Sequence, residues 1–212
     1  MGPRRTRSGF TLVELAVATA LFLLLMSSAI VAARGGMEAF RSSQDLSDLE
    51  TRARRALDRA VFELVACAAS ELNPSTTGPS GTEDLEFRQV VGLAGTAPVW
   101  GVPMSLAFEY GPEEVDDGTD NDGNGLVDDG LLVLTRDVGG NDQRIVLCRG
   151  VREYFEGEVG DGDDDNGNGL TDERGFHIQR VDGVLFVRLS LEESVPTGSV
   201  VRTLETAVRL RN

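Results

Sequence analysis

Positive charge is scarce in this chain: 20 Lys and Arg stand against 35 Asp and Glu in 212 residues, a formal net charge of -15. A surface of that sign repels phosphate backbones, so nucleic acid is not an expected partner, and divalent cations are attracted instead. Histidine is reduced to His177 and cysteine to Cys67 and Cys148. Two thiols and one imidazole cannot assemble a four-cysteine zinc site. Outside the cytoplasm the two cysteines are either one disulfide or two buried free thiols. With one imidazole, no motif around any serine or cysteine, and no phosphate-binding glycine loop opening a helix, no catalytic constellation is present and no enzyme is expected. Proline is missing from Phe10 to Ala33.

What fills that stretch is almost entirely apolar. As a helix it is roughly 36 Å long, enough to cross a hydrocarbon core of about 30 Å. Arg4, Arg5 and Arg7 precede it, which predicts a cytoplasmic N-terminus and an exported C-terminal part. A secretory signal peptide would carry its small-residue cleavage site after the apolar run. Here the small residues Ser8 and Gly9 come before it. Glu14 is the one ionisable residue in the run. A carboxylate in hydrocarbon costs several kcal/mol unless it is paired, which marks it as functional.

The string Ser8-Gly9-Phe10-Thr11-Leu12-Val13-Glu14-Leu15 resembles the processing motif of type IV pilins and type II secretion pseudopilins. The resemblance covers about the first thirty residues. It implies that a prepilin peptidase cuts after Gly9 and methylates the new N-terminal Phe10. It further implies that Glu14 pairs with the terminal amine of a neighbouring pilin-like subunit during assembly at the inner membrane. The implied architecture is a leader over 1–9, a transmembrane half-helix over 10–33, an amphipathic half-helix over 34–73, and a periplasmic or extracellular β-rich domain over 74–212.

The residues after the membrane run agree with that order. Leu46, Leu49, Ala53, Ala56, Leu57, Ala60, Leu64, Ala68 and Leu72 recur at steps of three and four, tracing one helix face. Pro74 stops the pattern, so one helix is expected over 11–72, loosened at Gly35-Gly36. Glu50–Arg54 and Arg59–Glu63 fall on its charged side as i,i+4 pairs worth a few tenths of a kcal/mol. Beyond it, strand-like runs appear at 85–91, 105–110, 131–135, 144–151, 176–181, 184–191 and 200–210, separated by turn residues. Strands without intervening helices form an antiparallel sheet, giving an α+β fold.

Two acidic segments repeat each other. One is Asp120-Asn121-Asp122-Gly123-Asn124-Gly125-Leu126-Val127-Asp128-Asp129. The other is Asp164-Asp165-Asn166-Gly167-Asn168-Gly169-Leu170-Thr171-Asp172-Glu173. Oxygen-bearing side chains at positions one, three, five and nine, with glycine at six, suit calcium. The candidate ligands are Asp120, Asp122, Asn124 and Asp128 in the first loop and Asp164, Asn166, Asn168 and Asp172 in the second. The loops resemble those of EF-hand, dockerin and thrombospondin type 3 modules. Position twelve, however, is Leu131 or Gly175, where an EF-hand has glutamate. Asp129, Glu173, Asp117 and Asp161 are the candidates for the missing ligand, and the second loop is expected to bind more weakly. The bland alternative is a pair of Asx- and Gly-rich turns without metal.

The functional expectation is a minor pseudopilin of the J type in a type II secretion system. A minor type IV pilus subunit of the W type is the nearest alternative, because the ending Val208-Arg209-Leu210-Arg211-Asn212 resembles it. A membrane-anchored calcium-binding surface protein that never polymerises is the alternative of another class.

Overall fold

The computed structural model describes residues 11–75, 81–196 and 198–210. The described residues fall into two compact units that divide between Gln44 and Asp45. Helix α1 spans Leu12–Leu64.

The part of α1 in the first unit is exposed along its whole length, with Leu15, Leu21, Phe22, Leu25 and Ile30 all open. An apolar surface of this extent needs a non-aqueous partner. The helix is long and apolar enough to cross a membrane. It runs through Gly35 and Gly36 without a break in helical structure, so the expected loosening is not seen there.

In the second unit the helical stripe meets a sheet. Leu49, Ala53, Ala56, Leu57, Ala60 and Leu64 are buried in one core with Leu85, Phe87, Leu106, Leu132, Leu134, Phe176, Ile178, Leu185 and Leu189. The alanines in the stripe are small enough to bring the helix backbone close to the strands. The helix ends eight residues before the expected Leu72. After Leu64 the chain leaves the helical path, and Cys67 forms a β-bridge with Gln89. The amide N–H of Val90 donates to the Ala66 carbonyl at 3.2 Å. Tertiary pairing therefore overrides local helix preference. A short 3-10 turn at Ala69–Glu71 follows, and Leu72 is buried outside the helix.

Among the described residues seven strands follow: β1 Asp84–Ala94, β2 Ala97–Tyr110, β3 Gly130–Arg136, β4 Gln143–Val151, β5 Phe176–Val181, β6 Val184–Val195 and β7 Gly198–Arg209. All pairings are antiparallel. The order is β1-β2-β3-β4-β6-β5, with β7 also on β6. Because β7 pairs with β6 from Val184 to Val195, β5 and β4 must share its other edge. The β5–β6 hairpin turns on Asp182-Gly183, both at positive φ (50° and 79°), as a two-residue hairpin turn requires. The resulting fold is α+β: a long N-terminal helix whose second half packs on an antiparallel sheet. The two acidic segments are the connections from β2 to β3 and from β4 to β5.

Candidate functional site

Glu14 lies in the first turn of α1, exposed, where its carboxylate accepts from the Thr11 amide at 2.9 Å and the Thr11 hydroxyl at 3.0 Å. The Glu14 amide in turn donates to Thr11 Oγ1 at 3.2 Å. This reciprocal pair is a capping box: Thr11 and Glu14 satisfy each other's free amides and fix where the helix starts. The carboxylate is thereby held at the helix N-terminus. The cleavage residue Gly9 and the methylation residue Phe10 lie outside the described residues.

The acidic loops are close structural copies, and the repeat is longer than its ten-residue core. It extends back to Glu114-Val115 in the first copy and Glu158-Val159 in the second. In each copy the first aspartate organises the turn. Asp120 Oδ1 accepts from the amides of Gly123 and Asn124, and its Oδ2 from Gly125. Asp164 accepts from Gly167, Asn168 and Gly169 in the same pattern. Asp128 and Asp172 both stand at positive φ (49° and 50°). They accept from backbone amides upstream, Asp117 and Gly118 for one, Asp161 and Gly162 for the other.

The candidate ligands do not all converge. Carboxylate oxygens of Asp120, Asp122 and Glu114 lie within 4.8 Å of one another. Glu114 was not a sequence candidate; only the longer repeat, with glutamate six residues before the first aspartate in both copies, would have flagged it. It is 6% exposed, its Oε1 accepts the amides of Asn121 (3.0 Å) and Asp122 (2.7 Å), and its Oε2 has no partner among the described residues. Asp129 is not one of the three but feels their charge. Burial pushes its carboxyl pKa up, a hydrogen bond from Asn124 works the other way, and the charges of Asp122, Glu114 and Asp120 raise it further.

Asp128 falls in a different group, with Asp116 and Glu153. That cluster already holds a cation: Arg174 donates to Glu153 at 2.6 Å and lies 3.5 Å from Asp116. Its guanidinium also stands over the rings of Tyr154, Tyr110 and Phe108, at 4.9, 5.7 and 6.0 Å from their centroids. We read the second cluster as a structural ion pair in an aromatic setting. Asn124 and Asn168 turn their side-chain oxygens to the amides of Leu126 and Leu170, and their NH2 groups to Asp129 and Glu173.

The second loop differs where its sequence does. Asn166 replaces the aspartate at position three, and both oxygens of Glu158 are used, by the amides of Asn166 and Asp172. There the buried unpartnered oxygen is Glu173 Oε2.

Cys67 and Cys148 are buried free thiols. Cys67 Sγ donates to the Leu64 carbonyl at 2.8 Å, and burial pushes both thiols up to about 12.

Residues 4–30 match the family described as the prokaryotic N-terminal methylation motif. The match contains Gly9, Phe10, Glu14 and most of the apolar run, and it supports a place for the chain in the type IV pilin and pseudopilin family. The match supports a pilin-like, prepilin-processed protein. No curated protein and no solved structure matches the chain.

Proposed function

We propose that this protein is a minor pseudopilin, of the J type, that assembles through its N-terminal helix into the pseudopilus of a type II secretion system. The observation that carries the proposal is the register of glycine, phenylalanine, glutamate and apolar run inside the matched motif. In this reading the protein is not an enzyme but a substrate of the prepilin peptidase. The N-terminus is cytoplasmic, α1 crosses the inner membrane once, and the β unit lies in the periplasm.

The physics of assembly follows from Glu14. Cleavage after Gly9 creates a positive α-amino group on Phe10, four residues ahead of Glu14 in the sequence. In lipid an unpaired carboxylate is costly, and a neighbour's terminal amine in a helix bundle removes that cost. Pairing between subunits thus favours the filament over the free protomer. The W-type pilus subunit is the second reading, favoured by the Val208–Asn212 ending. Loss of secretion on deletion, with piliation intact, supports the first reading; the reverse supports the second.

The test is Glu14→Ala. The variant is expected to be cleaved and membrane-inserted but no longer crosslinked to pilin-like partners in the filament. Normal incorporation would overturn the assembly role of Glu14.

A further inference from the structure

The strongest unexplained feature outside the N-terminal motif is Glu114. It is a buried carboxylate with one oxygen fully engaged and the other facing no donor among the described residues. A buried acceptor left without a partner is destabilising, and more so when it is charged. If Glu114 served only to cap the turn at Asn121 and Asp122, Oε1 alone would suffice. Its carboxylate belongs to a cluster in which Asp120 and Asp122 also present carboxylate oxygens, one from each of the three lying within 4.8 Å of the others. That spread is about twice a calcium–oxygen bond, so one ion can reach all of them. Among the described residues, no salt bridge reaches Glu114, Asp120, Asp122 or Asp129.

We propose that the β2–β3 loop is a calcium site whose innermost ligand is Glu114, with Asp120 and Asp122 as the outer carboxylates and Asp129 lending charge beside them. Oxygen donors alone, on a loop with irregular backbone, select a hard cation of flexible coordination rather than zinc or copper. Glu114 takes the part that position twelve plays in an EF-hand, but from the opposite side of the loop in sequence. Leu131 at position twelve is therefore free to be a core strand residue, and it is 3% exposed. The second loop, with Asn166 in place of an aspartate and Glu158 already saturated by backbone amides, is the weaker copy. Filling the first site ties the end of β2 to the start of β3. The inference is independent of the assembly reading, since it concerns the β unit and not N-terminal processing.

The experiment is titration calorimetry and thermal denaturation of the detergent-solubilised full-length chain, stripped with chelator and then given calcium chloride. Saturable binding below about 1 mM and a raised melting temperature are expected. Glu114→Gln keeps the shape and one oxygen for the turn, and is expected to weaken calcium binding at least about tenfold without lowering stability in chelator. Asp122→Asn, on an exposed side chain, makes the first loop resemble the second and is expected to weaken binding comparably; it carries the test if Glu114→Gln does not fold. Asp165→Asn is expected to bind as the parent does. No binding by the parent up to about 5 mM calcium, unchanged affinity in both loop-one variants, or an equal response to magnesium chloride would each overturn the proposal.

Discussion

Replacing Glu63 by alanine is expected to loosen the β unit. Glu63 sits in the last turn of α1, where a negative charge opposes the helix dipole, yet it is 2% exposed. Three partners explain its place there. Oε1 lies 2.5 Å from Arg59 and accepts from Arg136, at the end of β3, at 2.6 Å. Gln89 of β1 donates from Nε2 to Glu63 Oε2 and to the Glu63 carbonyl, both at 2.8 Å. The carboxylate therefore clamps the helix end to two strands. Alanine leaves Arg136, whose Nε already lacks a partner among the described residues, without this counter-ion, and takes from Gln89 its side-chain acceptor. Breaking a fully buried pair costs about 3–5 kcal/mol, but both arginines are partly in water, which lowers the figure to about 2–3 kcal/mol. For a unit of this size that is a fall of roughly 5–10 °C in melting temperature by scanning calorimetry. Arg59→Ala, losing only the most exposed partner, is expected to cost under about 1 kcal/mol. A Glu63→Ala shift below about 2 °C, or no coupling between Glu63→Ala and Arg136→Met in a double-mutant cycle, would refute the reasoning.

His177 is buried, its Nε2 has no partner among the described residues, and burial lowers its pKa to about 4 against the attraction of Glu173, with Arg188 lowering it further. Its contribution to stability is full above the unfolded value of 6.5 and is lost as pH falls toward 4, by about 3 kcal/mol across the window. His177→Leu should flatten the stability slope between those pH values, and an unchanged slope contradicts this. Cys67 and Cys148, held protonated by burial, are expected to react with a thiol reagent at pH 8 at least about a hundredfold more slowly in the folded protein than in urea; equal rates would show that they are accessible.

The strands were legible because their patterns are local. Leu185, Val187 and Leu189 alternate with outward residues, and the Asp182-Gly183 turn ahead of them carries its own hairpin signal. The first half of β2 was not legible: Pro98, Gly101 and Pro103 argue against a strand, and register shifts along β1 near Arg88, Val90 and Gly92 accommodate them at the sheet edge. Glu63 reads as one half of a surface pair with Arg59; its burial depends on Arg136, far along the chain. In the loops, alternating oxygens marked Asp120 and Asp122 but not Glu114. Nor could spacing show that Asp128 turns instead toward Asp116, Glu153 and the Arg174 ion pair. The N-terminal motif was readable outright, because processing acts on a linear string.

Mass spectrometry of the native N-terminus tests the central claim most directly. The account predicts a chain that begins at Phe10 with its amine methylated and Glu14 four residues on. A functional protein that keeps Met1–Gly9, or one that starts beyond Ala33, would contradict it.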